Sequence, residues 1–293
     1  MPPPQDHASH ATSNFDQVDC VFCAGREGEV TLKRPKFVVR RCPQCAVMWC
    51  DPLRFSDAFN PDDEAAYIET HDALDGENED RVAILTHAAP PATHPKVLEV
   101  GCMHGDFLLR AAKEGYEGRG LDLSQTAVDH AAKVSPGLVS YGTLDAHVPD
   151  ASVNVVAAFN VIEHMDAPHE FLSHARRVLR PGGILILETP RQESIYHHVM
   201  FGRGRVFPNK RTVDIGIYPG THIFKFGNRA WRRILADRKF EVTSSRGKST
   251  PLSQLFAKRR PSFAERAAIV SFGLLAKMTR LENRLILTAR RTP

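Results

Sequence analysis

The chain has 293 residues, 42% hydrophobic and 25% charged, a balance that excludes disorder throughout. Its longest apolar runs, around 267–270 and 273–276, fall far short of the roughly 20 residues that span a bilayer, so no transmembrane segment is read. A formal net charge of +4 is too mild for a dedicated nucleic-acid binder and neither demands nor forbids an acidic partner.

Met1 to Asn14 is rich in Pro, His and Ser and lacks the basic flank and apolar core of a signal peptide. Residues 1–15 are therefore read as a disordered leader and the protein as cytoplasmic. Two identical knuckles follow, Cys20-Val-Phe-Cys23 and Cys42-Pro-Gln-Cys45, with 18 residues between them. Two residues between thiols let a tight turn aim both at one metal, and two such turns close a tetrahedral site of four sulfurs. A structural zinc ribbon is expected over 16–56, with Cys20, Cys23, Cys42 and Cys45 as ligands and Cys50 as a spare thiol. Val30–Leu32 and Phe37–Val39 have strand character, and so small a module lacks the core to fold without its metal. Free or disulfide-bonded cysteines are the alternative, disfavoured in a reducing compartment.

Residues 57–95 read as a helical linker or lid, helical near Asp63–Glu69 and Asn78–Ala88, ending in Pro90-Pro-Ala-Thr-His-Pro95. Beyond this break, over 96–293, strand-like and helical segments alternate with the period of βαβ units. Strands are predicted at Lys96–Val100, Gly118–Asp122, Leu138–Tyr141, Val153–Phe159 and Gly183–Glu188. Helices are predicted at Asp106–Glu114, Gln125–Val134 and Pro168–Leu179, and the pattern ends with a helix at Asn228–Asp237 and strands at Phe240–Ser244 and Asn283–Ala289. The fold class is α/β, a doubly wound, mostly parallel sheet.

After the first of these strands, the turn from Gly101 to Gly105 leads into a helix and offers backbone N–H groups to a nucleotide-like ligand. Asp122 ends the next strand, 21 positions after Gly101, where an acidic side chain meets ribose hydroxyls. The plainer reading makes the turn a connection and Asp122 a helix cap.

The motifs Leu98-Glu-Val-Gly-Cys102 with Gly105, Gly120-Leu-Asp-Leu-Ser124, Asp145-Ala146, Phe159-Asn-Val-Ile-Glu-His164 and Leu179-Arg-Pro-Gly-Gly183 occur in one order. In this the chain, from Cys20 onward, resembles the class I S-adenosylmethionine-dependent methyltransferases, and among them bacterial small-molecule enzymes with an N-terminal four-cysteine zinc module. The resemblance implies a seven-stranded Rossmann-like sheet preceded by a small zinc ribbon, with S-adenosylmethionine and structural zinc as cofactors. It implies that Glu99, Gly101, Cys102, Met103 and Gly105 frame the methionine part, Asp122 and Leu123 the ribose, Asp145 and Ala146 the adenine, and that Asn160 lines the site. Met103 departs from the family's three-glycine turn, and its Cβ restricts φ. Either the turn keeps φ below zero there or the ligand sits differently; the same Met argues against a nicotinamide dinucleotide, whose pyrophosphate needs the second glycine.

Methyl transfer needs alignment, exclusion of water and, for hydroxyls, removal of a proton. The substrate cap is placed at about 190–225. His222, in Gly220-Thr-His-Ile-Phe, resembles the histidine-phenylalanine motif of many relatives and is the first candidate base, with His164 second; a purely structural role is the alternative for each. His197–His198 suggest no catalytic metal, because adjacent helical residues point apart and lack a suitably spaced carboxylate. The basic run Arg203, Arg205, Lys210 and Arg211 is read as a solvated loop or as an anion site. The stretch from Pro261 to Met278 is read as an amphipathic helix packed between the sixth and seventh strands, with peripheral membrane contact a weaker reading.

A small-molecule acceptor is therefore expected, most plausibly a hydroxyl of a sugar, glycolipid or secondary metabolite. The alternative is methylation of ribosomal or transfer RNA docked on the ribbon's Lys33, Arg34, Lys36, Arg40 and Arg41. Against it stand the absence of an Asn/Asp-Pro-Pro-aromatic motif after the fourth strand and few stacking aromatics. A non-catalytic scaffold is the third reading.

Overall fold

A computed structural model describes residues 19–23, 28–34, 37–51, 75–144, 148–206, 222–250 and 262–293. The predicted first helix near 63–69 lies outside them. Strands β1 (Glu29–Lys33), β2 (Val38–Arg41) and β3 (Met48–Asp51) form an antiparallel ribbon, followed by helix α1 (Asp75–Ala88). Then come β4 (Lys96–Val100), α2 (Asp106–Lys113), β5 (Glu117–Asp122), α3 (Gln125–Val134), β6 (Val139–Tyr141), β7 (Val153–Phe159), α4 (Pro168–Val178) and β8 (Leu179–Pro190). The chain continues through α5 (Ile195–Val206), β9 (Phe224–Lys225), α6 (Asn228–Asp237), β10 (Phe240–Lys248), α7 (Phe263–Met278) and β11 (Arg284–Arg291).

The larger sheet has seven strands in the order β10-β11-β8-β7-β4-β5-β6. β8, β7, β4, β5 and β6 are parallel, while β11 runs antiparallel to both of its neighbours. This is the expected doubly wound sheet. The inner strands are continuous apolar runs because helices cover both faces; Val155, Val156, Ala157 and Ala158 are all fully buried. On one face Val82 and Leu85 of α1 and Phe107 and Leu108 of α2 pack on Val97, Val155 and Ile186. On the other, Phe171 and Leu172 of α4 and Trp231 and Ile234 of α6 pack on Leu98, Val156 and Leu187.

The ribbon joins this second core. Phe22, Cys42, Cys45, Val47 and Trp49 belong to the same apolar cluster as Phe224, Phe226 and Trp231. Phe22 meets Phe224 and Phe226 edge-on at 5.6 Å each. β9 is the fourth strand of the ribbon's sheet, pairing Met48 with Lys225 and Trp49 with Phe224. Neither β3 nor β9 is visible as a strand in the sequence pattern.

One expectation needs correcting. Helix α7 forms between β10 and β11 in the chain, but the sheet does not cover its apolar stripe. Phe263, Val270, Leu274, Leu275 and Met278 are exposed, and among the helix's described side chains only Ala276 is buried. No helix among the described residues is long and apolar enough to cross a membrane.

Candidate functional site

β4 and β7 are parallel neighbours whose chains leave the sheet toward opposite faces, into α2 and α4. A crevice opens at the carboxyl ends of such a pair, where doubly wound sheets bind ligands.

On the β4 side, Gly101 has φ +69° and Gly105, at the start of α2, φ +82°. A Cβ on Gly101 would lie 2.4 Å from the Val161 side chain, so the turn approaches the end of β7 as closely as a bare backbone allows. Between them Met103 has φ +49°. The turn therefore keeps the left-handed conformation in spite of the side chain, at a cost of about 1–2 kcal/mol for an L-residue. That strain is held by Asp122: the Met103 amide donates to its Oδ2 at 2.8 Å, and the Ser124 amide to its Oδ1 at 2.9 Å. Each carboxylate oxygen keeps a lone pair for a further donor. Ser124 caps α3 by accepting from the Ala127 amide at 2.9 Å, so Asp122 is not the cap of that helix. Cys102 is buried beneath the turn, and Leu123, next to Asp122, stands 62% exposed. Glu99 is buried, burial pushes its carboxyl well above the usual range, and its Oε2 has no hydrogen-bond partner. Asp145 and Ala146 lie outside the described residues.

On the β7 side, Asn160 takes φ +56°, and its amide donates to the Glu188 carbonyl at 2.8 Å. Asn tolerates this conformation better than most residues. The chain then bends through a 3-10 turn, Ile162–His164. The rings of His164 and His222 meet edge-to-face with centroids 4.7 Å apart, although 58 positions separate them in the chain. Glu163, fully buried, lies beside them: one carboxylate oxygen is 4.0 Å from His164 Nε2, and neither oxygen has a hydrogen-bond partner. Burial pushes Glu163 up to about 8. Burial also lowers His222 to about 3, helped by His164 and Lys225, so its imidazole is neutral at physiological pH.

Two backbone bonds fix His222. The Ile223 amide donates to the Glu163 carbonyl at 2.8 Å, and the Ile223 carbonyl accepts from the Cys50 amide at 3.1 Å. The next charged group, Lys225, is buried on β9, and burial lowers it to about 8 against the pull of Cys50. Cys50 itself is pushed up to about 12 by burial. His197 is buried against Phe201, ring centroids 4.1 Å apart, and its ring stands 6.0 Å from that of His198. Lys210 and Arg211 lie outside the described residues, while Arg203 and Arg205 are exposed at the end of α5.

In the ribbon the thiols of Cys20, Cys23, Cys42 and Cys45 converge, all within 4.8 Å of one another. Cys20 and Cys45 are 3.6 Å apart, and Cys23 and Cys42 are 3.4 Å apart. None is disulfide-bonded, and Cys50 stays outside the group. Tetrahedral zinc with bonds of about 2.3 Å sets sulfurs about 3.8 Å apart, which this cluster fits.

Sequence reasoning singled out His164 and His222 separately but not their meeting; it gave Glu163 only a part in the pair with His164 that could orient the following loop, and it overlooked Lys225. The available signal was the Glu163–His164 pair at the end of a buried strand, where a carboxylate has no solvent.

The profile of the methyltransferase-domain family matches residues 70–245. A probable S-adenosylmethionine-dependent methyltransferase of Mycolicibacterium smegmatis is 37% identical over 117 residues, 38% of this chain and 42% of that protein. The chain thus matches less than half the length of that relative. A ubiquinone biosynthesis O-methyltransferase of Maricaulis maris is 27% identical over 180 residues, 56% of this chain and 66% of that protein. Among solved structures, an S-adenosylmethionine-dependent methyltransferase from Mesorhizobium loti superposes with a TM-score of 0.50 at 19% identity, covering 71% of this chain and 96% of that one. The chain belongs to the methyltransferase-domain family, and its seven-stranded sheet is that of the class I S-adenosylmethionine-dependent enzymes.

Proposed function

We propose that the protein transfers a methyl group from S-adenosylmethionine to a hydroxyl of a small molecule, with the acceptor held at the His164–His222 pair. The observation that carries this reading is the pair's placement at the carboxyl end of β7, across the crevice from the Gly101–Gly105 turn. In the Maricaulis maris relative's name the acceptor atom is likewise an oxygen.

Bound S-adenosylmethionine supplies an electrophilic methyl group on a sulfonium that departs as a neutral thioether. The Met103–Gly105 turn and the unpartnered Glu99 Oε2 would receive the methionine part, Asp122 the ribose hydroxyls, and exposed Leu123 an apolar ring face. Asn160 would line the passage between donor and acceptor. His222, neutral and held by the Ile223 backbone bonds, would accept the hydrogen of the acceptor hydroxyl as its oxygen bonds to the methyl carbon and the carbon–sulfur bond breaks. His164, 26% exposed, would face the acceptor from the other side. A zinc ion on Cys20, Cys23, Cys42 and Cys45 would be structural: four thiolates leave no position for substrate.

The RNA alternative loses support in the ribbon. Arg34 is buried, donating to the Gly204 carbonyl at 2.7 Å, and Arg40 pairs with Asp51 at 2.6 Å. These guanidinium groups serve the fold instead of forming an outward basic surface.

The test is incubation of the zinc-loaded protein with methyl-labelled S-adenosylmethionine and a lysate separated into RNA, protein, lipid and small-molecule pools. Label in the small-molecule or lipid pool is expected. Label confined to RNA or protein would overturn the acceptor assignment.

A further inference from the structure

We infer that Glu163, His164 and His222 form a binding site for one divalent cation of the zinc, cobalt or manganese type, placed to acidify the acceptor hydroxyl. The inference rests on the hydroxyl-methylating reading for its purpose, but not for its geometry. Two imidazoles and one carboxylate each bring a ligand atom within 4.8 Å of the others. Metal–ligand bonds of about 2.0–2.2 Å set such atoms about 3.3–4.4 Å apart, so a sub-ångström contraction closes the set on an ion.

The second observation is Glu163 itself. A fully buried carboxylate without a hydrogen-bond partner is rare and costly. His164 Nε2 stands 4.0 Å from one of its oxygens, beyond hydrogen-bond reach but within the span of two ligands on one ion. The backbone is arranged to keep the set together, since the Ile223 amide on the Glu163 carbonyl ties the residue after His222 to the residue before His164.

The donor set also selects the ion. Two nitrogens and one oxygen suit borderline transition-type cations, whereas magnesium and calcium prefer all-oxygen shells. Three protein ligands leave open positions, unlike the closed four-thiol set of the ribbon. Glu163 is fully buried and His164 is 26% exposed, so solvent reaches the set from the histidine side. With the ion bound, His222 would serve as a ligand and no longer as the base. The acceptor hydroxyl, acidified on the ion, would give its proton to solvent water; the imidazole takes that proton only in the ion-free site.

The test is titration of cobalt(II) into the zinc-loaded protein, followed by calorimetry and visible absorption. One further equivalent is expected, without a thiolate-to-cobalt charge-transfer band, and Glu163→Gln and His222→Ala should each weaken it at least tenfold. Thermal unfolding and S-adenosylmethionine binding verify folding; if His222→Ala fails them, the isosteric Glu163→Gln carries the test. Absence of a second equivalent in the wild type, or equal binding by a folded variant, overturns the inference. No acceptor is needed, so a failed acceptor assignment leaves this outcome standing. Conversely, a failed titration leaves the methyl-transfer assay to be judged separately.

Discussion

Met103 donates its amide hydrogen to Oδ2 of Asp122 at 2.8 Å, fastening the residue that breaks the glycine pattern to the carboxylate proposed for the ribose. Both ends of that carboxylate are in use, because Ser124 donates to Oδ1. Asp122→Ala therefore releases the turn as well as the proposed ribose contact. S-adenosylmethionine affinity measured by calorimetry should fall at least tenfold. Met103→Gly, which removes the left-handed strain and keeps the amide, should bind the cofactor about as well as the wild type and unfold about 1 kcal/mol later.

His222→Ala and His164→Ala should each lower methyl transfer at saturating cofactor by about 10²–10⁴-fold. Cofactor affinity should remain within about twofold of the wild type. The readout is single-turnover label transfer beside equilibrium binding. Equal turnover would leave the pair a structural role only.

Glu188 gives an acid-stability signature. Burial alone would raise its carboxyl, but the charges of Arg81, Arg284 and Lys248 overcome this and hold it down to about 2. Arg284 and Arg81 approach it at 2.8 and 3.0 Å, and Arg284 also reaches Glu77 at 2.6 Å, tying α1 to β8 and β11. With a folded value below the ordinary 4.5, the stabilisation is complete above that pH and is lost as pH falls toward 2, about 3 kcal/mol in all. Glu188→Gln should cost about 3–5 kcal/mol at pH 7 and flatten that acid limb in urea titrations.

Cys42→Ser should weaken cobalt binding by the ribbon and reduce its thiolate-to-cobalt charge-transfer band, three thiolates remaining of the four. Because β3 pairs with β9, the loss should spread: amides of Ile223 and Phe224 should exchange hydrogen faster, and methyl transfer should fall with them. Chelation of the zinc-loaded protein should do the same reversibly.

The parallel sheet was legible because its strands are buried on both faces and read as unbroken apolar runs, as in Val153–Phe159, while α3 carries its own cap in Ser124. The four-cysteine cluster was legible because its spacing is local. What escaped was contact between distant segments: β9 is two residues long and exists only because Met48 and Trp49 lie beside it. Among histidines, spacing led only to His197–His198, where the sequence reading set a catalytic metal aside and where the rings stand 6.0 Å apart. The converging set instead joins residue 222 to residues 163 and 164. The position of α7 was misread because an apolar helical stripe looks the same whether a sheet covers it or not.

The clamp between the ribbon and the segments at Gly204 and Phe224–Lys225 has a consequence for how the chain can change. Arg34 holds the Gly204 carbonyl at the end of α5, and β3 holds β9, so the ribbon grips the chain on both sides of residues 207–221. A change of sequence that respects these two anchors keeps His222, Glu163 and His164 in register, so their geometry can be inherited while other parts of the chain drift.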